Sequence, residues 1–152
     1  MSPLQAGASV PSFSLRRAGD GTFTEADLLG RTTVLVFYPF AFSPVCTDQL
    51  SLYDDLRDEF AALGATLYGV SCDAVWSQTA FKEKLGIEIE QLSDFEPKGA
   101  ACKAFDVYHP GGFPQRALVI VGPDGTVKWS YQADSPGELP GANLIFDGLS
   151  AG

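Results

Sequence analysis

The stretch that decides the fold runs from an apolar segment into a cysteine: Thr33-Val34-Leu35-Val36-Phe37-Tyr38-Pro39-Phe40-Ala41-Phe42-Ser43-Pro44-Val45-Cys46. Its first six residues form the apolar run that is typical of a buried strand. Ser43 is a favoured N-cap and Pro44 suits the first helical position, so a short loop and a helix should follow. Cys46 then falls at the third helical position, where free backbone N–H groups and the helix dipole stabilise a thiolate. The stretch predicts a reactive thiol at a helix N-terminus.

The residues after Cys46 predict that this helix continues to position 63, because Gly64 is a natural helix stop. Apolar residues recur along it at spacings of four, four and three, which predicts one stripe facing a sheet: Leu52, Leu56, Phe60 and Leu63. Asp48 should lie on the solvent face, since a carboxylate pointing inward would oppose ionisation of the thiol. The alternative interpretation is that Cys46 is a small apolar filler of the core.

Strands and helices alternate along the rest of the chain. Strands are expected at 12–16 (an edge strand), 33–38, 65–70, 116–121 and 126–132, with helices at 75–85, 98–104 and 142–149 and one helical turn at 25–29. Four residues of the 75–85 helix should face inward: Trp76, Ala80, Phe81 and Leu85. This order predicts an α/β fold with a mixed central sheet flanked by helices, in a single domain covering residues 1–152. Strands 33–38 and 65–70 should be parallel neighbours, with Cys46 beyond their carboxyl ends.

Composition narrows the function classes. The chain has 152 residues, of which 45% are hydrophobic and 19% charged, as expected of a globular protein. Its net charge is −9 and it has no basic cluster, which argues against nucleic acid and anionic membrane surfaces as partners. No apolar run approaches the ~18 residues that span a membrane, and the N-terminal residues lack the pattern of a secretory signal. A cytoplasmic location is therefore expected.

Three cysteines, at positions 46, 72 and 102, are too few and too widely spaced to indicate a disulfide framework or a zinc site. No metal or other cofactor is expected. Cys72 follows an apolar strand and should belong to the core, whereas Cys102 precedes Lys103 and should be partly exposed. The single histidine, His109, is interpreted as a solvated loop residue and not as a base or ligand.

Pro39, Ser43 and Cys46 stand in the spacing Pro-x-x-x-Thr/Ser-x-x-Cys, and Arg116 precedes the apolar strand 117–121. In these features the chain resembles the peroxiredoxins, thiol peroxidases built on a thioredoxin-like fold. Other segments that carry the resemblance are Val70-Ser71-Cys72-Asp73, Leu92-Ser93-Asp94 and Gly122-Pro123-Asp124-Gly125-Thr126-Val127. Segments 92–100 and 135–138 are similar to those of the AhpE-type and bacterioferritin-comigratory-protein-type subgroups.

The resemblance implies that Cys46 reduces hydrogen peroxide and organic hydroperoxides and becomes a sulfenic acid. It also implies that Pro39 shapes the loop and shields the sulfur, that Ser43 supplies a hydroxyl, and that Arg116 supplies a fixed cation. Gln49 stands where relatives often carry a glutamate that supports the arginine; an amide can accept a hydrogen bond but supplies no charge. Related peroxiredoxins commonly dimerise beside the active site, and the aromatic pair Phe40 and Phe42 also favours a homodimer.

The sulfenic acid must be reduced again, and the sequence favours a one-cysteine mechanism with an external thiol. The reductant would be thioredoxin, a glutaredoxin-like or mycoredoxin-like protein, or a low-molecular-weight thiol. The alternative is an atypical two-cysteine mechanism in which Cys72 or Cys102 is the resolving residue. Ser51 occupies the position at which some relatives carry that cysteine.

Two other function classes remain open. A thioredoxin-type disulfide oxidoreductase is disfavoured because Cys46-Thr47-Asp48-Gln49 lacks the second cysteine of that motif. A non-catalytic binding module of thioredoxin-like fold would give Ser43 and Arg116 no reason to accompany Cys46.

Overall fold

Strands and helices alternate through residues 3–19 and 21–150, the part of the chain that this computed structural model describes. The strands are β1 (Ser14–Arg16), β2 (Thr22–Thr24), β3 (Thr32–Phe37), β4 (Ala65–Ser71), β5 (Glu90–Ser93), β6 (Tyr108–His109), β7 (Phe113–Pro114), β8 (Ala117–Val121) and β9 (Val127–Gln132). The α-helices are α1 (Pro44–Asp55), α2 (Arg57–Ala62), α3 (Val75–Leu85), α4 (Ala100–Ala104) and α5 (Ala142–Ser150), and a 3-10 turn covers Glu25–Leu28.

The central sheet is mixed and has the strand order β2-β1-β5-β4-β3-β8-β9. β3 lies between β4 and β8, parallel to β4 from Thr32↔Ala65 to Phe37↔Val70 and antiparallel to β8. The expected parallel neighbours and the mixed sheet are both confirmed. The segment expected at the edge is β1, but β2 covers that edge by folding back against it, so β1 is the second strand.

The sheet separates the core into two layers. Alternate residues of β3 point to opposite faces, as the strand period of two requires. Val34 and Val36 pack on one face with Cys46, whereas Leu35 and Phe37 pack on the other. Buried residues of α1, α2, α3 and α5 belong to the first layer and those of α4 to the second, so helices flank both faces. None of these helices is long and apolar enough to cross a lipid bilayer.

The helix predicted for 44–63 is interrupted. α1 ends at Asp55, and Leu56 leaves helical geometry with φ −103° and ψ 10° before α2 begins. The inward face of α1 follows the spacing i, i+3, i+4, i+7 and carries Cys46, Gln49, Leu50 and Tyr53.

The predicted apolar stripe along this segment is therefore mostly wrong. Phe60 is fully buried, but Leu56 is only half-buried, and Leu52 and Leu63 are 38% and 55% exposed. The stripe was inferred from apolar residues alone, and a buried glutamine and the break at Leu56 move the true inward face away from it.

α3 also presents a different face from the one expected. Phe81 is buried and Leu85 is half-buried, as predicted, but Trp76 is 86% exposed and Ala80 is exposed as well. The inward position in the first turns is taken by Gln78, whose Nε2 donates to Ser71 Oγ at 2.9 Å and to the Leu92 carbonyl at 2.8 Å. Positions 78, 81 and 85 lie at i, i+3 and i+7 on one side of the helix. As with Gln49 in α1, a hydrogen-bonded glutamine marks the side that faces the core.

A matched pair of substitutions on α3 tests this orientation. We expect Phe81→Ala to lower the free energy of unfolding by about 3–5 kcal/mol, because it leaves a cavity between Tyr38 and Phe42. Trp76→Ala on the same helix should change it by about 0.5 kcal/mol or less, since that side chain is mostly in water. Urea denaturation measures both values, and equal losses in the two variants would contradict the orientation.

Candidate active site

Cys46 lies in the first turn of α1, just beyond the carboxyl end of β3. Ser43 is the N-cap with φ −69° and ψ 150°, Pro44 is the first helical residue, and the Thr47 N–H donates to the Ser43 carbonyl at 2.9 Å. The predicted helix positions of Ser43, Pro44 and Cys46 are confirmed. The Ser43 side chain does not cap the helix, however, because its hydroxyl donates to the Phe40 carbonyl at 2.9 Å.

The loop from β3 to α1 is held in an unusual backbone conformation. Phe42 has φ +70°, in the left-handed region that costs a residue with a side chain about 1–2 kcal/mol. Two contacts hold the loop: the Ala41 N–H donates to Asp73 Oδ2 at 2.8 Å, and the Phe42 ring packs against Phe81 with centroids 5.2 Å apart. The surrounding structure thus fixes the direction from which α1 begins.

Arg116 is brought to this place by the sheet. It directly precedes β8, and because Ala117 pairs with Phe37, the start of β8 lies beside the end of β3. The guanidinium is 2% exposed, and its Nη2 donates to Cys46 Sγ at 3.1 Å. Nη1 donates to Gln49 Oε1 at 2.5 Å and Nε donates to the Pro136 carbonyl at 2.7 Å. All three guanidinium nitrogens therefore have partners, and one partner is the cysteine sulfur.

The network continues behind the arginine. Gln49 Nε2 donates to the Tyr53 hydroxyl at 3.2 Å, and that hydroxyl donates to the Pro140 carbonyl at 2.6 Å. Burial raises the pKa of Tyr53 to about 12, so the hydroxyl keeps its proton and can donate it in this bond. Gln49 thus supports Arg116 with its amide oxygen alone. Sequence reasoning identified Gln49 but missed Tyr53, whose position four residues further along α1 is the available signal.

The surroundings of Cys46 are apolar. The cysteine has no exposed surface and packs in the same layer as Val36, Tyr38 and Leu50. Pro39, which directly follows Tyr38, is buried, and Asp48 is exposed, as expected. A cationic donor that contacts a sulfur in a dry environment stabilises negative charge on that sulfur strongly. The arrangement is suited to nucleophilic chemistry by Cys46.

Aromatic side chains surround the loop. Phe40 and Phe42 are each 49% exposed, and the Phe40 ring lies 5.1 Å from that of Phe113. His109 is half-buried in strand β6 and not solvated in a loop, because its ring stacks on Phe113 at 4.2 Å and its Nδ1 accepts the Gly111 N–H at 2.8 Å.

The other two cysteines lie on the opposite face of the sheet. Cys72 is 8% exposed and packs in the second layer, which confirms it as a core residue. Cys102 has no exposed surface, so the prediction of partial exposure is wrong: α4 turns Ala101 and Cys102 inward. All three cysteines are free. Neither Cys72 nor Cys102 shares the layer that contains Cys46.

Side-chain atoms of Cys72, Asp94 and Cys102 lie within 4.8 Å of one another, a group of potential metal ligands among the described residues. Sequence reasoning missed this cluster because its three members are far apart along the chain. Asp94 accepts the backbone N–H groups of Ala101 at 3.0 Å and of Cys102 at 2.8 Å. Burial raises the pKa of Asp94, and these two hydrogen bonds oppose that rise.

Comparison with known proteins places the chain in a family. The sequence pattern of the AhpC/TSA family matches residues 6–130, so the chain belongs to this family, the peroxiredoxins. It is 34% identical over 145 residues to "Probable peroxiredoxin prdx-3" of Caenorhabditis elegans, covering 88% of this chain and 63% of that protein. It is 28% identical over 150 residues to "Alkyl hydroperoxide reductase E" of Mycobacterium tuberculosis, covering 97% of each.

Structural comparison agrees. The crystal structure of "Peroxidoxin BcpB" from Mycobacterium tuberculosis superposes with a TM-score of 0.84 and 27% sequence identity, covering 97% of both chains. The thioredoxin-like fold of the peroxiredoxins is thereby confirmed. The chain spans less than two thirds of the length of the Caenorhabditis elegans relative, and nearly the whole length of the two mycobacterial proteins.

Substitution of Gln49 tests the network around Arg116. We expect Gln49→Leu to lower the free energy of unfolding by about 1.5–3 kcal/mol, because a buried guanidinium N–H loses its acceptor. Gln49→Glu keeps an acceptor and should cost less than Gln49→Leu. Urea denaturation of the two variants measures both free energies of unfolding. If Gln49→Leu left this free energy unchanged, the hydrogen bond would contribute little to stability.

Proposed function

We propose that this protein is a thiol peroxidase that reduces hydrogen peroxide and organic hydroperoxides through Cys46. The observation that carries the proposal is the contact between the Arg116 guanidinium and Cys46 Sγ, at 3.1 Å, in the first turn of α1. A helix N-terminus and a fixed cation both favour the thiolate, which is the nucleophilic form of cysteine. Membership of the AhpC/TSA family supports the same activity.

The reaction is an in-line displacement. The Cys46 thiolate attacks one peroxide oxygen, an S–O bond forms while the O–O bond breaks, and the second oxygen leaves with the bonding electrons and takes a proton. The products are a sulfenic acid on Cys46 and water or an alcohol. Negative charge moves from sulfur to the leaving oxygen, so donors fixed beside the sulfur stabilise the transition state.

We assign four supporting residues to this step. Arg116 donates to the reacting sulfur and stabilises the charge that passes to oxygen, and Gln49 holds it in place. Ser43 supplies a hydroxyl, which must exchange its bond to the Phe40 carbonyl for one to the peroxide. Pro39, buried directly after Tyr38, excludes water from the sulfur.

We propose a one-cysteine mechanism in which an external thiol reduces the sulfenic acid. The sheet lies between Cys46 and the other two cysteines, since Cys46 packs in one layer and Cys72 and Cys102 in the other. A disulfide requires Cα atoms within about 7 Å, and this partition argues against either cysteine as the resolving residue. The reductant is a thioredoxin, a glutaredoxin-like or mycoredoxin-like protein, or a low-molecular-weight thiol.

The thioredoxin-type disulfide oxidoreductase gains no support from the site. The second cysteine of that motif would stand at position 49, and Gln49 is instead bound to Arg116 and Tyr53. A binding module without catalysis would also leave unexplained why the buried Arg116 guanidinium donates a hydrogen bond to a cysteine sulfur.

The surface at the site supports two further proposals. Phe40 and Phe42, each 49% exposed on the loop that leads to Cys46, form an apolar border that suits the alkyl part of an organic hydroperoxide. The same exposed pair supports a homodimer formed beside the active site. We further propose that residues 1–152 act as one domain and that the protein works in the cytoplasm, where its free cysteines stay reduced.

Removal of the nucleophile is the direct test. We expect Cys46→Ser to abolish peroxide turnover with dithiothreitol while the melting temperature stays nearly unchanged, since one atom is exchanged in place. The double variant Cys72→Ala/Cys102→Ala should retain turnover, because neither cysteine takes part in the one-cysteine cycle. Peroxide consumption and thermal unfolding are measured on all three proteins. Activity above a few per cent in Cys46→Ser would refute the assignment, and loss of turnover in the double variant would favour a two-cysteine mechanism.

Arg116→Met keeps volume but removes the cation. We expect the second-order rate constant with hydrogen peroxide to fall by about a hundredfold or more, because charge stabilisation at the sulfur is lost. The rate of Cys46 alkylation by iodoacetamide at neutral pH should fall for the same reason. An unchanged alkylation rate together with an unchanged peroxide rate would remove Arg116 from the active site.

A further inference from the structure

Cys72 and Cys102 lie close together on the face of the sheet opposite to Cys46. Cys72 directly follows β4 and Asp94 directly follows β5; because Ser71 pairs with Ser93 in parallel, these two residues leave adjacent strand ends. Asp94 then binds the N–H groups of Ala101 and Cys102, which holds α4 against the strands. The two sulfur atoms and an Asp94 carboxylate oxygen consequently lie within 4.8 Å of one another.

We propose that Cys72 and Cys102 form a second redox pair, separate from Cys46, which peroxide oxidises to an intramolecular disulfide. Both thiols are free, and their sulfur atoms lie within 4.8 Å of each other, so a disulfide requires them to approach to about 2 Å. The proposal concerns a site on the other face of the sheet and does not depend on the chemistry assigned to Cys46.

The two thiols differ in a way that suits consecutive steps. Cys72 retains 8% exposure, whereas Cys102 has none. A hydrogen bond from Cys102 lowers the pKa of Cys72, and nearby Lys98 acts in the same direction. The interaction with Cys72 and then burial raise the pKa of Cys102. Cys72 is therefore the residue that meets the oxidant and Cys102 the one that resolves it.

One peroxide molecule is sufficient to convert the two thiols into a disulfide. The Cys72 thiolate attacks a peroxide oxygen, giving a sulfenic acid and water or an alcohol. The Cys102 sulfur then attacks Cys72 Sγ, the S–O bond breaks, and the hydroxyl leaves as a second water that takes the Cys102 proton. Two thiols lose two electrons in total, and the peroxide gains them.

A metal site is the less suitable use of this cluster. Both oxygens of Asp94 already accept backbone N–H groups of α4. Two thiols and an engaged carboxylate fall short of the four protein ligands that a structural zinc site takes. The cluster fits a dithiol better than a metal centre.

We assign Tyr108 as the side chain that covers the pair. It is half-buried and packs against the core layer that contains both cysteines, with its ring against Gly99, the residue before α4. Lys103 lies over the outer side of this ring, 5.0 Å from the centroid. Removal of the ring should admit peroxide to Cys72, whereas Tyr108→Phe keeps the cover and serves as the matched control.

The experiment uses Cys46→Ser, in which the pair is the only source of thiols. The reduced, chelator-treated protein is exposed to hydrogen peroxide, denatured, alkylated with N-ethylmaleimide and weighed intact. We expect loss of two hydrogens and no alkylation, reversal by dithiothreitol, and a proteolytic peptide that links Cys72 to Cys102. Adding Tyr108→Ala should accelerate the oxidation on the order of tenfold, and adding Tyr108→Phe should leave its rate nearly unchanged.

Cys46→Ser/Cys102→Ala provides the control for the order of steps. It should gain oxygen at Cys72 and lose no hydrogens, because the resolving thiol is gone. The proposal is overturned if both thiols of Cys46→Ser remain alkylatable at a peroxide dose that converts wild-type Cys46 to the sulfinic acid. It is equally overturned if Cys72 reaches the sulfinic acid while Cys102 stays free, or if the disulfide joins two chains.

A second measurement covers the case in which Cys46→Ser folds poorly. Wild-type protein is treated with excess peroxide and mapped by proteolysis, and the Cys72–Cys102 link should appear beside an oxidised Cys46. Failure of the proposed peroxidase activity is read from turnover, and failure of this pair from the mapped peptide, so the two results stay separate.

Discussion

The buried Arg116 guanidinium is the constraint on which the rest of the site depends. An unpaired charge in such a position would cost several kcal/mol, so the fold must supply acceptors for it. α1 supplies two of them, Cys46 Sγ and Gln49 Oε1, and the segment after β9 supplies the Pro136 carbonyl. Because β8 runs antiparallel to β3, residue 116 lies beside the strand end from which α1 departs. The sheet topology and the need to pair the buried charge thus both place Arg116 beside the first turn of α1.

The sheet then divides the thiol chemistry of the molecule. β3, β4 and β8 are buried on both faces, and their alternate side chains form two apolar layers with no shared side chain. Cys46 lies beside the Arg116 guanidinium in one layer. Cys72 and Cys102 lie in the other layer next to the Asp94 carboxylate, so their oxidation should be slower than that of Cys46. A single fold can hold two thiol sites of different reactivity because the sheet insulates them from each other.

The sequence predicted where the strands and helices lie better than which side of each helix faces the core. The strand, loop and helix around Cys46 follow from local chemistry, namely an apolar run, a proline at the first helical position and a cysteine two residues later. The wrong assignments, Trp76 inward and the Leu52–Leu63 stripe, share a cause: buried glutamines occupy the inward positions, and only tertiary partners make a buried glutamine stable. The exposure predicted for Cys102 is wrong because Asp94, eight residues earlier, orients its helix.

Complete burial of Cys46 sets the last requirement of the cycle. Hydrogen peroxide is small, but in the proposed one-cysteine cycle a thiol reductant must reach the sulfur itself, which would require the first turn of α1 to open locally. Within the backbone, the start of that turn has few hydrogen bonds: Pro44 donates none, the Ser43 hydroxyl does not cap the helix, and Phe42 sits in a costly left-handed conformation. Segments with few satisfied groups open at a fraction of the global unfolding free energy. The features that position the thiol at a helix N-terminus would therefore also lower the cost of opening this turn to the proposed reductant.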